Sequence, residues 1–417
     1  MNEYDKYKGS RLLYIIEAAV EYFIAILVGT TYLAKMTTSI GISDGVTGIL
    51  SSFISLGFGF QIFSLFIANK RPIKRIVIIL HLINELAFAF LYLVPVVPVS
   101  KTVKVAIFVS LLLMAEMVKN ILYSPKMTWL MGLVPDNERG SFTAKKEMIS
   151  LISGMLVSFG IGAAIDFFEA RGEMNTAFIL GAITVFVLTV IHFILMIFIK
   201  EKTVEVKEER IGQMLRTSLF DKNLLKLIPL FSLWAIASYI STPFYGTYQI
   251  SDLHFGMTEI AIIAAVASIA RALFSAPIGK LADKRSFATM LTVCFIFAML
   301  SYGFNIFFGK AFMVLHQIFY AISMAGINSG TVNLIYDYVP LKRRTGALAI
   351  KNTVVGFIGF GATLLAKPLI DTVQANGNTF WGFNIHAQQI LSAISVILIA
   401  TAIIYLNTVV KKMKKEI

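Results

Sequence analysis

The sequence has little of what soluble and secreted proteins depend on. Charged residues make up only 15% of its 417 residues, whereas a soluble globular domain carries about a quarter. The single cysteine, Cys294, excludes an internal disulfide and a metal site built from several cysteines. A soluble protein with 57% hydrophobic residues would expose large apolar patches and aggregate. The composition therefore indicates a chain whose solvent is lipid.

Two functional motifs are also missing from the sequence. It contains no Walker loop, Gly-x-x-x-x-Gly-Lys-[Ser/Thr], and no His-Glu-x-x-His pair. These absences argue against ATP-driven transport in cis and against a membrane metalloprotease. We predict that the chain is not an enzyme and uses no cofactor and no metal. The net charge of +13 does not indicate nucleic-acid binding, because the basic residues lie in short runs between apolar stretches.

Long apolar runs dominate what is present. A helix that crosses the hydrocarbon core needs about 20 mostly apolar residues. Strands of a membrane barrel would instead give short runs of alternating polarity. We predict an all-α polytopic membrane protein with twelve transmembrane helices, at residues 12–34, 43–68, 74–94, 103–131, 145–168, 175–199, 224–246, 258–280, 287–308, 312–338, 346–370 and 387–409.

Lysine and arginine are distributed unevenly between the two sides of these helices. Of the 37 residues, 29 lie on the side of the N-terminus, and only 6 on the other side. The remaining two, Lys119 and Arg271, lie inside helices, whereas Lys126 is counted with the cytoplasmic residues. By the positive-inside rule, both termini are expected to be cytoplasmic. We predict a multi-pass protein of the cytoplasmic (inner) membrane, and the richness in isoleucine and lysine favours a bacterial source.

The chain contains an internal repeat. Val134-Pro135-x-x-x-Arg139 recurs as Val339-Pro340-x-x-x-Arg344 at an offset of 205 residues. At the same offset Lys146 matches Lys351 and Asp166 matches Asp371. A further pair is 41-GISD-44 and 256-GMTE-259, each with a hydroxyl residue as N-cap and an acid in the first turn. We predict two parallel six-helix halves, 1–200 and 224–417, joined by a charged cytoplasmic linker at 201–223.

Two loop patterns are similar to those of a known family. The segment 279-GKLADKR-285 resembles the Gly-x-Leu-Ala-Asp-Arg loop of the major facilitator superfamily (MFS). Its first-half copy, 65-LFIANKRPIKR-75, is degraded, with Asn69 in place of the acid. The segments 134-VPDNERGS-141 and 339-VPLKRRTG-346 resemble the family's Pro-x-x-x-Arg-Gly pattern. Together with the six plus six helices, these motifs make the whole chain resemble the family.

The resemblance implies an MFS fold and a secondary transporter that works by alternating access. It implies gating rather than substrate contact for the loop residues, with Gly279 allowing close helix packing and Asp283 acting as a conformational latch. The gating residues are Gly279, Asp283, Lys284, Arg285, Arg139 and Arg344. It also implies that helices 1, 4, 7 and 10 line a central cavity.

Charges inside membrane spans are costly and must be paired or face water. The acids in the spans outnumber Lys119 and Arg271, and the proton-coupling candidates are Glu17, Glu21, Glu85 and Glu116. Glu17 and Glu21 share one helix face, and two close carboxylates in a poorly hydrated cavity do not both ionise easily. One of them could therefore carry a proton.

Structural alternatives exist for these charges. One of the two glutamates could pair with Lys119 or Arg11 and only tie helices together. Glu116 and Lys119 could satisfy each other within one helix. Arg271 either pairs with an acid or meets an anionic group of the substrate.

Polar and aromatic residues complete the expected cavity. The substrate-cavity candidates are Lys119, Asn120, Trp234, Tyr239, Arg271, His316, Gln317, Asn328 and Asn333. Mixed aromatic and amide groups suit a polar organic solute, although amides also serve as interhelical hydrogen-bond partners. His316 could relay protons or form a polar wall, and we interpret His192 as a packing or interfacial residue.

The predicted direction of transport rests on one missing motif, whereas proton coupling rests on the acids in the spans. The fifth helix, 149-ISLISGMLVSFGIGAAIDFF-168, lacks the Gly-Pro-x-x-Gly-Gly signature of drug/proton antiporters. We therefore predict proton-coupled symport of a small organic solute, with sodium as the other coupling ion to consider. The alternatives are a drug or cation exporter working by proton antiport, and a transport-inactive membrane solute sensor. The expected partners are the small-molecule substrate, the coupling ion and the lipid bilayer, with no nucleic acid, and we expect a monomer.

Overall fold

The computed structural model describes residues 6–68, 72–135, 138–202 and 211–414, and these residues are mostly helical. The α-helices are α1 Lys8–Leu27, α2 Thr30–Ile40, α3 Asp44–Ser51, α4 Phe53–Gly59, α5 Ser64–Ala68, α6 Ile73–Leu91, α7 Lys101–Met131, α8 Arg139–Ala170, α9 Met174–Phe198, α10 Ile211–Leu219, α11 Lys222–Tyr239, α12 Tyr245–Thr247, α13 Met257–Lys284, α14 Phe287–Phe304, α15 Lys310–Tyr338, α16 Arg344–Ala375 and α17 Ala387–Thr408. Two short strands, β1 Thr379–Phe380 and β2 Phe383–Asn384, pair antiparallel.

The prediction of an all-helical membrane protein is confirmed. In the described part of the chain, eleven helical segments are long and apolar enough to cross a membrane. The predicted third span, α6, falls outside this group because its 19 residues include Lys74, Arg75 and Glu85. It is nevertheless one continuous helix that packs between α7 and α9. The count of twelve therefore holds approximately, with α6 as the twelfth span.

Three of the predicted spans are not continuous helices. The first is interrupted at Val28 and Gly29, between α1 and α2. The second span is divided into α3, α4, a 3₁₀ turn at Gln61–Phe63 and α5. The seventh breaks after Tyr239 into a 3₁₀ turn containing Pro243, the short α12 and a π-helical turn at Tyr248–Asp252. Proline removes a helix hydrogen bond and clashes with the preceding turn, which accounts for the break in the seventh span. Pro243 and Gly246 both lie within this break.

Contacts divide the chain into two compact units. The first contains residues 1–43, 60–208 and 256–262, and the second contains 44–59, 209–255 and 263–417. The segments 44–59 and 256–262 are therefore grouped with the opposite half of the sequence. Residues 203–210 of the predicted linker lie outside the described residues, as do residues 69–71 of the degraded loop motif. The rest of the linker forms α10, whose Ser218 Oγ donates to Arg343 O at 3.1 Å.

The first unit has an apolar core where α1, α6, α7 and α9 meet. Its fully buried side chains include Tyr14, Val77, Leu122 and Met196. In lipid, apolar burial alone does not hold helices together, so close packing and polar contacts inside the bundle must contribute. This core lies on the four helices that also carry most of the first unit's buried charges.

The sequence repeat is visible as matching helix caps. In the first unit, both carboxylate oxygens of Asp166 accept hydrogen bonds from the first backbone N–H groups of α13, those of Met257 and Thr258, each at 2.8 Å. In the second unit, the repeat-related Asp371 lies directly against Gly45 in the first turn of α3. Negative charge at a helix N-terminus is stabilising, so Asp166 stabilises the start of α13. Asp371, which pairs with Lys367, brings a carboxylate to the equivalent position at the start of α3.

Lys146 and Lys351 repeat a second arrangement. The Lys146 ammonium lies over the ring of Tyr14 at 5.1 Å, and that of Lys351 lies over the ring of Phe231 at 5.6 Å. Each aromatic residue belongs to the first helix of its sequence half. The offset of 205 residues therefore preserves a cation–π contact as well as residue identity.

Candidate functional site

Lys126 joins the two glutamates of α1. Its ammonium lies 2.9 Å from Glu21 Oε2 and forms an ion pair with Glu17 Oε1. Glu17 is completely buried and Lys126 is 5% exposed, whereas the Glu21 side chain is 40% exposed. Lys126, counted with the cytoplasmic residues, lies within the predicted fourth span, α7, and its ammonium is turned into the bundle. The expected pairing of one glutamate with Lys119 or Arg11 is replaced by this contact.

His192 lies between two carboxylates. Its Nε2 is 2.8 Å from Glu17 Oε1, and its Nδ1 is 2.5 Å from Glu85 Oε1. All three side chains are buried, with at most 3% of any of them exposed. The interpretation of His192 as a packing residue is therefore wrong. The apolar sequence of α9 is lipid-facing on its exposed sides, and His192 is on its buried side.

His81 completes the arrangement. Its Nε2 lies 3.9 Å from Glu21, its Nδ1 lies 3.8 Å from Glu85, and its ring meets that of His192 edge to face at 5.4 Å. We call the six residues that are linked in this way the buried charge cluster: Glu17, Glu21, His81, Glu85, Lys126 and His192. The cluster belongs entirely to the first unit.

The cluster has a deficit of positive charge. With both imidazoles neutral, three carboxylates face one ammonium, so two negative charges remain in a buried site. Isolated buried charges are very costly, and a proton is the smallest group that removes one. A neutral imidazole carries one N–H, yet both nitrogens of His192 face carboxylates. Both contacts become favourable only when a second proton is present on the ring or on one of the carboxyl groups.

Three residues of the cluster could together hold a metal ion. The potential ligand atoms of His81, Glu85 and His192 lie within 4.8 Å of one another. The Lys126 ammonium pairs with Glu17 and Glu21, which are not among these three residues. We interpret the cluster as an ion-pair and proton network, and the expectation of no metal stays a prediction.

Glu116 is separate from the cluster. It pairs with Lys119 at 3.5 Å on its own helix, and its backbone oxygen accepts from Asn120 Nδ2 at 2.8 Å. Lys119 also lies 5.8 Å from the centre of the Phe88 ring. This geometry matches the structural alternative for Glu116, in which the acid pairs with a residue three positions along α7. Its other carboxylate oxygen, Oε2, is buried and has no hydrogen-bond partner among the described residues.

In the second unit, His316 is enclosed by aromatic rings. It is 2% exposed, and the rings of Tyr245, Tyr302 and Tyr320 lie 4.8, 5.3 and 5.8 Å from its own. Its Nδ1 contacts only Ser301, at 2.8 Å from Oγ and 3.1 Å from the carbonyl oxygen. No carboxylate of the described residues pairs with it. This environment suits a neutral imidazole that forms part of a polar wall.

The other cavity candidates are spread over α11, α13 and α15. Trp234 packs on Phe295 at 5.6 Å, and the carbonyl oxygen of Tyr239 accepts from Thr363 Oγ1 at 2.7 Å. Gln317 is partly buried and Asn328 is exposed, whereas Asn333 Nδ2 donates to the carbonyl oxygen of Ser329 at 2.9 Å.

Arg271 does not form the structural pair that was one of its two explanations. The residue is exposed on α13, and no described carboxylate lies within ion-pair distance of its guanidinium. Exposure explains why it needs no partner, since a solvated or headgroup-level charge carries no burial cost. The alternative, contact with an anionic substrate group, stays a prediction.

The loop motifs have unequal roles. Arg344 donates to the carbonyl oxygens of Tyr336 at 2.7 Å and Val339 at 3.1 Å, so it caps the end of α15. Asp283, Lys284 and Arg285 are exposed, and Asp283 makes no ion pair with a described residue. Arg139 begins α8.

The packing role expected for Gly279 is not present. A Cβ atom at this position would meet nothing within 4 Å, whereas one at Gly326 or Gly330 would overlap side chains of α14. The close approach of helices in this region thus depends on the glycines of α15, and Gly279 lies beside open space.

Sequence reasoning missed Lys126, His81 and His192 as partners of the predicted acids. One signal was available: His81 and Glu85 are four residues apart, as Glu17 and Glu21 are, so both pairs share a helix face. Two matching polar pairs in spans predict a polar helix–helix contact. His192 stands alone in its helix and gives no such signal.

Comparison with known proteins agrees with this architecture. The family model of the Major Facilitator Superfamily matches residues 13–363 and 230–412. The chain therefore belongs to the Major Facilitator Superfamily. It is a multi-pass membrane transporter and not an enzyme, as the sequence predicts. No curated protein matches the sequence.

Solved structures share the fold at low sequence identity. A mutant of the nucleoside transporter NupG is 14% identical with a TM-score of 0.75, covering 95% of this chain and 99% of that one. A bacterial homologue of the human lysosomal transporter Spinster is 13% identical with a TM-score of 0.67, covering 99% and 98%. A D-xylose–proton symporter is 14% identical with a TM-score of 0.66, covering 94% and 97%. At these identities the likeness concerns the fold alone.

Proposed function

We propose that this transporter moves a small polar organic solute across the cytoplasmic membrane together with protons, by alternating access. The observation that supports proton coupling is the position of His192, with both ring nitrogens within 2.8 Å of buried carboxylates. An imidazole between two carboxylates can receive a proton on one side and pass one on from the other. Among the ion pairs of the described residues, His81 also lies between two carboxylates, but at the longer distances of 3.8 and 3.9 Å.

The proton would act through the charge balance of the buried charge cluster. Adding a proton removes one of the two excess negative charges. It also changes which carboxylates form ion pairs with Lys126 and with His192. A proton can bias a conformational equilibrium only by binding one state more tightly than the other. A cluster that spans α1, α6, α7 and α9 is suited to this, because protonation changes the contacts that join four helices.

Glu17 is the carboxylate on which we place the coupling role first. It is fully buried and contacts both Lys126 and His192, whereas Glu21 is partly exposed and contacts the lysine more directly than the histidine. Glu85 contacts both histidines and is the second coupling candidate. Glu116 is assigned a structural role through Lys119.

The solute class rests on weaker support. The aromatic and hydroxyl groups around His316 suit polar rings and hydroxyl-bearing solutes. Two of the structural neighbours are described as a nucleoside transporter and a D-xylose–proton symporter. Nucleosides and sugars therefore come first in the panel of solutes to test, followed by amino acids, organic acids and cationic drugs.

The test uses purified protein in proteoliposomes that contain a trapped pH-sensitive dye. For one class of solute, an inward solute gradient should acidify the lumen and an outward gradient should alkalinise it, because the proton moves in the same direction as the solute. Proton movement opposite to the solute would instead indicate the antiport alternative. Solute movement that requires sodium would indicate that sodium is the coupling ion. Saturable binding without flux would indicate a sensor. Glu116→Gln is the matched control, since it removes a buried acid of α7 outside the cluster.

A further inference from the structure

A groove lies on the outer face of the first unit, between α6 and α9. It has a volume of about 410 Å³, which is within the range of small-molecule sites. Its walls are formed by Ile78, Ile79, Phe193 and Ile197. Ile79 and Ile197 are 47% and 43% exposed. Because the chain is a membrane protein, these exposed apolar walls face acyl chains.

The end of the groove is basic. Lys74 and Arg75, in the first turn of α6, line it there. Lys74 donates to the carbonyl oxygen of Ile197 at 2.7 Å, which uses one of its three N–H groups and fixes the ammonium at the mouth of the groove. No described carboxylate lies within ion-pair distance of Arg75.

One acid, Glu201, also lines the groove, and its carboxylate interacts electrostatically with Lys74. Glu201 Oε1 accepts from the backbone N–H of Ile73 at 2.9 Å, so this carboxylate oxygen caps the start of α6. Two cations and one helix-capping acid leave a net positive charge.

We propose that this groove binds an anionic phospholipid, with its phosphate at Lys74 and Arg75 and an acyl chain along Ile78, Ile79, Phe193 and Ile197. Such a lipid has a negative headgroup at one end of an apolar chain. An apolar groove with cations at one end is complementary to it. No part of this inference depends on proton coupling or on the identity of the transported solute.

The site has a consequence for the buried charge cluster. The groove and the cluster lie on the same two helices, since α6 carries His81 and Glu85 and α9 carries His192. A lipid held in the groove contacts both helices and stabilises their packing. Bound lipid is therefore expected to raise the unfolding temperature of the protein.

The test is a lipid titration of the purified full chain in detergent, followed by native mass spectrometry and by thermal unfolding. Phosphatidylglycerol is the probe, phosphatidylcholine is the neutral lipid, and glycerol phosphate is the free headgroup. We expect one phosphatidylglycerol to bind more tightly than phosphatidylcholine and to raise the unfolding temperature, with glycerol phosphate having no effect. Competition by glycerol phosphate at similar concentration would overturn the proposal, because it would indicate an anion site without a lipid.

Two variants separate the parts of the site. Arg75→Gln should weaken phosphatidylglycerol binding about fivefold, the usual contribution of one basic residue near an anionic lipid. Ile197→Trp should fill the groove and remove the tight site while the charges stay. The matched control is Lys411→Gln with Lys412→Gln, a basic pair at the end of the chain's last helix, which should bind like the parent. Equal affinity of all three proteins for phosphatidylglycerol would contradict the proposal.

Discussion

Nε2 of His192 lies 2.8 Å from Oε1 of Glu17, although the two residues are 175 positions apart in the sequence. The contact joins α1 and α9, which are the first and the last continuous long helices of the first sequence half. Around it, one lysine and two histidines face three carboxylates. This relationship gives the transporter a buried group that can gain or lose a proton, and it makes the cluster the part of the molecule whose variants are most informative.

Replacing Lys126 is expected to destabilise the protein strongly. Lys126→Met leaves Glu17 buried and next to Glu21 without the ammonium that joins them. Breaking a buried ion pair from one side costs about 3 to 5 kcal/mol. Thermal unfolding in detergent measures the effect. Lys119→Met is the control, because Lys119 is 31% exposed and pairs with one acid of its own helix. Equal loss in both variants would contradict the account.

The double variant Lys126→Met with Glu17→Gln should recover part of that loss. Removing both charges leaves a neutral contact of similar size and removes the unpaired carboxylate. A double variant less stable than Lys126→Met alone would show that the two residues do not act as a pair. The comparison is a double-mutant cycle on residues in direct contact.

His192 and His316 are expected to differ in function despite similar burial. His192→Asn removes a ring that contacts two carboxylates, so solute-driven proton movement should fall by at least tenfold. His316→Asn removes a ring whose Nδ1 contacts only Ser301, so proton movement per solute should be unchanged. The dye assay measures both. A loss of coupling in the His316 variant with normal coupling in the His192 variant would reverse the assignment.

Asp166 is expected to contribute to stability through the first turn of α13. Asp166→Ala removes two hydrogen bonds of 2.8 Å to backbone N–H groups. The loss should be about 1 to 2 kcal/mol, the usual effect of removing an N-terminal cap. Glu173→Gln is the control, since Glu173 is exposed and caps nothing with its side chain. Unfolding temperatures that fall equally for both would contradict the capping role.

Two glycines of α16 provide a matched pair for packing. A Cβ at Gly356 would overlap backbone atoms of Ser55 and Gly59, whereas one at Gly361 would meet nothing within 4 Å. Gly356→Ala should therefore destabilise by about 1 to 3 kcal/mol. Gly361→Ala should be neutral or slightly stabilising, because alanine favours helix. Thermal unfolding and yield check both, and similar behaviour of the two variants would contradict the packing of α4 on α16.

Much of the fold follows from the sequence for physical reasons. Apolar length predicts spans because lipid leaves the backbone no other partner, and the repeat around Asp166 and Asp371 predicts equivalent helix starts. The breaks within the second and seventh spans were less predictable. Pro243 indicates one of them, but the division between α3 and α5 follows from packing that no local pattern contains.

The site was predicted only in part. Glu17, Glu21 and Glu85 are identifiable because a carboxylate in a span is costly whatever its surroundings. Their partners are not, because pairing depends on how four helices are rotated about their axes. Lys126 illustrates this. A lysine near a predicted helix end is explained by the positive-inside rule as well as by a buried ion pair, and only the rotation of α7 in the structure shows that it faces Glu17.

The measurement that tests the central claim most directly compares uphill solute accumulation with solute exchange in proteoliposomes, for the parent, Glu17→Gln and Glu116→Gln. Exchange needs substrate binding and conformational change but no net proton movement, whereas accumulation under a proton gradient needs coupling. The account predicts that Glu17→Gln retains exchange and loses accumulation, and that Glu116→Gln retains both. Normal accumulation by the Glu17→Gln variant would contradict it.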